Sequence, residues 1–108
     1  MDNLTLFDTH LRKVLSARHI PVSDFASDSF LPPALRWRVG PPGESAHFVV
    51  VSEEAIRYGT DLVASLRRLM QQFNWPGNVQ EHAGKAFVLL SDGSVREDSV
   101  SNFPPDPT

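Results

Sequence analysis

Two unbroken apolar runs place the strongest limits on how this chain folds. Residues 48–51 read Phe-Val-Val-Val, and residues 86–90 read Ala-Phe-Val-Leu-Leu. A continuous run rich in β-branched side chains is typical of a central strand that is covered on both faces. The sequence therefore predicts such a strand over about 46–51 and a second strong strand over 85–90.

Two amphipathic stretches are predicted to be helices. In residues 4–18, apolar side chains recur at the spacing of one helix face, at Leu4, Phe7, Leu11, Val14 and Leu15. The second stretch begins after Ser52, which is a good helix cap, and its apolar stripe extends to Phe73. Gly59 interrupts this stretch. We expect one helix that bends there, with a break and a second helix capped by Thr60 or Asp61 as the alternative.

Residues 34–39 alternate between apolar and basic side chains, which is typical of a strand with one wet face. Trp37 belongs to the apolar side, and Arg36 and Arg38 belong to the other side. The turn composition of residues 40–43, Gly-Pro-Pro-Gly, predicts an antiparallel hairpin with the next strand.

The remaining segments give weaker signals. Residues 19–33 are rich in Pro, Ser and Asp and are expected to be mostly loop, and residues 79–82 are expected to form a short strand. Asp92-Gly93 is a strong hairpin signal, so a weak strand is expected near Val95.

Together these elements predict an α+β fold in the order α-β-β-α-β-β. We expect a three- to five-stranded, mainly antiparallel sheet with two helices packed on one face. Residues 1–96 are expected to form a single domain, and residues 97–108 a disordered, acidic, Pro-rich tail.

Charge and composition exclude several classes of function. The net charge is −3, but residues 1–90 hold nine basic and nine acidic residues, so the acidic excess lies near the C-terminus. A neutral body creates no long-range field that would attract nucleic acid. The chain has no cysteine, and its first residues lack the basic start and apolar run of a signal peptide. We expect a cytoplasmic protein with no membrane partner.

The spacing of reactive side chains predicts no catalytic, cofactor-binding or metal-binding residues. The four histidines include no pair at the i,i+4 spacing of helical metal ligands. No Gly-x-Ser-x-Gly motif and no phosphate-binding loop is present. We therefore expect that this chain is not an enzyme and has no cofactor.

The most interesting constellation is Arg36-Trp37-Arg38, with His47 on the neighbouring strand. Two arginines on an open sheet face can contact a carboxylate, a phosphate backbone or stacked bases. We take Arg36, Trp37, Arg38 and His47 as the candidate partner-binding residues. The competing interpretation is an ordinary solvated strand face with Trp37 in the core.

Residues 75–81, Trp-Pro-Gly-Asn-Val-Gln-Glu, resemble a stretch of the bacterial σ54-dependent AAA+ activators. In that family the stretch follows a helix in the lid of the ATPase domain. The Walker motifs and the σ-contacting loop of the family are absent here, so the resemblance implies no ATPase activity. Physically, Pro76 and Gly77 are expected to end the preceding helix.

Three hypotheses for the function follow. We expect a small non-enzymatic protein-interaction module, an adaptor or accessory protein of bacterial type, whose partner is another protein or a second copy of this chain. The alternative is a nucleic-acid-binding domain that uses the same sheet face. The third is a ligand-binding protein or enzyme whose site is assembled from dispersed residues such as His10, His19 or His82.

Overall fold

The two apolar runs become neighbouring strands at the centre of one sheet. The structure is a computed structural model and describes residues 3–28, 34–40, 46–75, 77 and 79–99. Its elements are α1 (Asn3–Ser16), β1 (Val22–Asp28), β2 (Ala34–Val39), β3 (His47–Ser52), α2 (Glu53–Arg57), α3 (Leu62–Gln72), β4 (Lys85–Leu89) and β5 (Val95–Ser99). A short 3-10 turn, Val79–His82, precedes β4.

The five strands lie side by side in the order in which they occur in the chain. β1 with β2, β2 with β3 and β4 with β5 are antiparallel, whereas β3 and β4 are parallel. The parallel pair arises because α2 and α3 form a crossover between these strands, which returns the chain to the end of the sheet where β3 began. The predicted α+β fold is confirmed, and the mainly antiparallel sheet is more accurately a mixed one.

The helices cover one face of the sheet, which we call the inner face. Its core is formed mainly by apolar side chains of α1 and α3 packed on the sheet: Phe7, Leu11 and Leu15, then Leu62, Leu66 and Leu69, against Trp37, Val49, Val51, Phe87 and Leu89. Burial of these large side chains is the main favourable term in the stability of the fold.

The opposite side, the outer face, carries a second and smaller apolar cluster. Val50, Ala86 and Val88 are buried there, with Phe48 and Leu90 partly buried against them. Within the described ranges this cluster contains no helical residue. Val49, Val50 and Val51 are all fully buried, which confirms the prediction that this strand is covered on both faces.

The prediction of a single bent helix after Ser52 is wrong. α2 ends at Arg57, Gly59 adopts a φ of +65°, and a new helix begins at Leu62. A positive φ interrupts the helical backbone, and glycine adopts it without steric cost. The carboxylate of Asp61 accepts a hydrogen bond from the backbone N–H of Ala64 at 3.1 Å. Of the two caps that the alternative interpretation offers, Thr60 and Asp61, the structure therefore uses Asp61.

Two other segments also differ from expectation. Within residues 19–33, the structure forms the edge strand β1, which pairs with β2 and has an irregularity between Ser23 and Phe25. Hydrogen bonds to β2 compensate for the low strand propensity of its Ser and Asp residues. Val79–His82 is a 3-10 turn rather than a strand. Residues 29–33 lie outside the described ranges.

The C-terminal hairpin is confirmed, and it extends the ordered domain beyond the predicted boundary. Gly93 has a φ of +86°, and the backbone N–H of Leu90 donates to the carbonyl of Ser94 at 2.9 Å. β5 runs to Ser99, three residues past the predicted boundary at residue 96. The expected disorder of residues 100–108 lies outside the described residues. Over the described ranges, no helix has the length and apolar character needed to cross a bilayer.

The break at Gly59 predicts how substitutions there change stability. Gly59→Ala should lower the free energy of unfolding by about 1–2 kcal/mol, because a Cβ strains a backbone with positive φ. Apart from the two chain neighbours of Gly59, no atom of the described residues lies within 4 Å of the position that the Cβ would take, so no steric clash adds to this cost. Gly59→Asn should cost less, since asparagine tolerates this conformation. Urea unfolding measures both variants, and a more stable Gly59→Ala would instead support one continuous helix.

Candidate functional site

Arg36 and Arg38 lie on the outer face, on the side of β2 away from the helices, and both are half-buried. Arg36 pairs with Val50 and Arg38 pairs with Phe48 on the neighbouring strand. The guanidinium carbon of Arg36 lies 5.1 Å from the centre of the Phe48 ring, which is a cation–π contact. The structure therefore confirms the alternation that predicts both arginines on one face.

The guanidinium of Arg38 is not fully satisfied. Its Nε is buried and has no hydrogen-bond partner within the described part of the chain. A buried donor without an acceptor costs free energy, and such groups often mark a place where another molecule supplies the acceptor.

β5 adds charged side chains to the opposite border of this surface. Arg96 pairs with Val88 and Asp98 pairs with Ala86, so register places both on the outer face. Arg96 and Asp98 approach each other to 3.5 Å. The outer face thus has an apolar centre, with Arg36 and Arg38 of β2 on one side and the oppositely charged pair of Arg96 and Asp98 on the other.

Trp37 is a core residue and not part of the exposed surface. Its side chain is fully buried on the inner face, 4.9 Å from Phe7 between ring centres. The indole Nε1–H donates to a carboxylate oxygen of Asp8 at 2.8 Å, and Arg12 donates to the same oxygen. Trp37 therefore ties β2 to α1. Its inclusion among the partner-binding side chains is corrected accordingly.

His47 is also fully buried, on the face opposite to the arginines. The expectation that His47 shares a surface with Arg36 and Arg38 is corrected, because the side chain points into the core. The Nε1–H of Trp75 donates to Nε2 of His47 at 2.8 Å. Since Nε2 accepts, a neutral His47 carries its proton on Nδ1. This Nδ1 is buried and has no partner within the described residues.

Aromatic rings surround His47. The ring centres of Trp75, His82 and Phe87 lie 6.0, 6.3 and 5.7 Å from it. Phe73 packs on Phe87 at 4.9 Å. We call these five residues the histidine cluster. Nε2 of His82 lies 3.2 Å from the carbonyl oxygen of Phe73, to which a neutral His82 with its proton on Nε2 donates.

Burial and, to a smaller extent, the nearby His82 together lower the pKa of His47 from its usual 6.5 to about 4. Both effects disfavour the charged imidazolium. Because the pKa is higher in the unfolded chain, neutral His47 makes its full contribution to stability above pH 6.5. That contribution falls as the pH drops from 6.5 toward 4.

The histidine cluster offers little for catalysis or metal binding. Within the described ranges, no three His, Asp or Glu side chains are grouped so that they could hold a metal ion. Nε2 of His47 is already bonded to Trp75, and this nitrogen is not free to act as a base or ligand. Of the three histidines in the dispersed-site hypothesis, His10 and His19 are exposed, whereas His82 is buried.

Comparisons with protein-family models, curated protein sequences and solved structures found no match to this chain. These comparisons therefore add no support to the resemblance of residues 75–81 to the AAA+ activators. Trp75 is buried there, and the 3-10 turn after it ends at His82, followed by a turn at residues 83–84.

The pairing of His47 with Trp75 predicts a stability difference between two variants at pH 7. His47→Leu should lower the free energy of unfolding by about 1–3 kcal/mol, because the indole N–H of Trp75 then has no buried acceptor. His47→Gln should cost less, since its amide oxygen can accept that bond. Chemical denaturation measures both, with the exposed His10→Leu as a control that should change little. If His47→Leu and His47→Gln lowered the free energy of unfolding equally, the hydrogen bond to Trp75 would not contribute to stability as predicted.

Proposed function

We propose that this chain is a non-catalytic protein-interaction module that binds its partner through the outer face, with Arg36 and Arg38 as contact residues. The observation that carries this proposal is the placement of two half-exposed arginines together on a sheet face, on the side opposite to the helices.

The chemistry of the two arginines suits an interface. Arginine is enriched in protein interfaces because its planar guanidinium stacks on rings and donates paired hydrogen bonds to carboxylates. The contact of Arg36 with Phe48 supports one side chain against the sheet, which lowers the entropy lost on binding. Nε of Arg38 has no hydrogen-bond partner among the described residues, which is compatible with a partner that supplies an acceptor.

An acidic protein segment is the partner class that this surface fits best. Carboxylates would pair with Arg36 and Arg38, and apolar side chains of the partner would pack near the partly buried Phe48. Nucleic acid is the second candidate, because Arg96 brings a third arginine to the same face. The nearby Asp98 and the neutral charge of residues 1–90 disfavour a polyanion.

Charge reversal on the outer face tests the proposal. The double variant Arg36→Glu and Arg38→Glu should keep its circular dichroism spectrum and lose at least about tenfold in partner binding, because like charges then face the acidic partner. The matched control is Arg67→Glu with Arg68→Glu, which makes the same change in net charge on the exposed side of α3.

The measurement is quantitative affinity capture from the native host with the wild-type and both variant proteins as bait. Partners retained by the wild type and the α3 control but lost from the β2 variant support the proposal. If all three baits captured the same partners equally well, the outer face would not be the binding surface.

A titration with single-stranded and duplex oligonucleotides at low salt separates the two partner classes. We expect no binding at micromolar concentrations. Chemical-shift changes confined to Arg36, Arg38 and Arg96 that disappear with added salt would instead favour nucleic-acid binding.

A further inference from the structure

We propose that His47 and Trp75 form an acid-sensitive latch, which holds the described residues of the 73–84 segment (73–75, 77 and 79–84) against β3 and opens locally when His47 is protonated. This inference concerns the inner face and does not depend on the proposed function of the outer face.

The latch joins the end of α3 to the beginning of β3. Trp75 lies three residues after the last residue of α3, and its backbone N–H donates to the carbonyl of Met70 at 3.2 Å. Its side chain is only 2% exposed and reaches His47, the first residue of β3. The backbone N–H of Gly84 donates to the carbonyl of Ala46 at 3.2 Å. The two ends of the segment therefore lie beside the same short stretch of chain.

Protonation removes the acceptor on which this contact depends. Neutral His47 accepts the indole hydrogen of Trp75 with the lone pair of Nε2. The imidazolium form carries hydrogens on both nitrogens, so it has no lone pair to offer. Its Nε2–H would then point at the indole N–H of Trp75. The hydrogen bond is replaced by two donors facing each other in a buried site.

Among the described residues, the neighbours of His47 include no group that would stabilise a positive charge on its ring. β4 contributes Phe87 and the 73–84 segment contributes Trp75, both as rings, while β2 places Val39 opposite His47. The titratable group facing it is His82, from the 3-10 turn, and a positive charge there repels a second one. Among the described residues, His47 forms no ion pair with a carboxylate. Separation of the segment from β3 would give the imidazolium access to water.

Opening is expected to be local because the rest of the inner core is held by apolar contacts. The cluster that α1 and α3 form with the sheet consists of apolar side chains, among them Leu11, Leu15, Leu66 and Leu69, which carry no titratable group. The 73–84 segment is short, and the regular structure in its described part is one 3-10 turn. Segments of this kind open with smaller free energies than central strands.

The size of the effect follows from the two protonation equilibria. If His47 titrates near 6.5 in the open state and near 4 in the closed state, acidification favours opening between these values. The opening constant should rise roughly fiftyfold from pH 7 to pH 4.5, and the rise should level off below pH 4.

Amide hydrogen exchange on the full chain tests the latch. After correction for intrinsic exchange rates, protection of amides in 73–84 should fall roughly fiftyfold between pH 7 and 4.5, while amides of β3 and β4 change much less. His47→Gln should remove most of this pH dependence, because glutamine accepts the indole hydrogen but does not titrate. His10→Gln, at an exposed position, should behave as the wild type.

Three outcomes would overturn the proposal. They are no loss of protection in 73–84, an equal loss throughout the chain, and a pH dependence that persists in His47→Gln. If His47→Gln fails to fold, a second measurement on the wild-type protein still tests the latch. Imidazole ¹⁵N shifts of the wild-type protein should show the proton of His47 on Nδ1 at pH 7 and titration well below 6.5, and a normal titration near 6.5 would refute the latch.

Discussion

The register between β2, β3 and β4 is the constraint on which the rest of the structure depends. It aligns Trp37 with Val49 and Phe87 on the inner face, and it aligns Arg36 with Val50 and Val88 on the outer face. Because side chains alternate along a strand, a shift of one residue would exchange the two sets. The large apolar side chains that α1 and α3 cover make such a shift costly. The arginines are on the outer face because the tryptophan must be inside.

Both tryptophans bring an indole N–H into the core, and each requires an acceptor there. Trp37 uses Asp8, a carboxylate that remains partly exposed, whereas Trp75 uses His47, which is fully buried. The first bond links a helix to the sheet near solvent. The second depends on an imidazole that must stay neutral, and burial lowers its pKa to about 4. A carboxyl group keeps an acceptor oxygen when it is protonated, whereas an imidazolium has no lone pair to offer, so protonation of the acceptor breaks the second bond in particular.

The sequence predicts the parts of this fold that depend on local pattern. The alternation around Trp37 predicts the two faces of β2, and the valines of β3 predict a strand covered on both sides. Gly59 is ambiguous because glycine can either bend or end a helix, and only the helix capped by Asp61 decides between them. The sequence of β1 gives only a weak strand signal, because its Ser and Asp residues have low strand propensity. Pairing with β2, which no local pattern reports, holds this segment in the sheet.

The inward position of His47 could not be predicted for a different reason. It begins a run in which the next four residues are all apolar, so no alternation indicates which face any of them occupies. Its contact with Trp75 joins residues 28 positions apart, and no local pattern reports such a pairing. The predicted partner-binding set therefore contained two residues that belong to the core, and it lacked Arg96, which pairing with β4 brings to the outer face.

The assignment of side chains to the two faces can be measured directly because the chain has no cysteine. Single variants Arg38→Cys and Val39→Cys place one thiol at adjacent positions on opposite faces of β2, and maleimide labelling of the folded protein compares them. The structure predicts that the thiol at position 39 reacts about a hundredfold more slowly than the thiol at position 38, since it must wait for the core to open. Equal rates, or faster labelling at position 39, would contradict the register from which both the binding surface and the latch are argued.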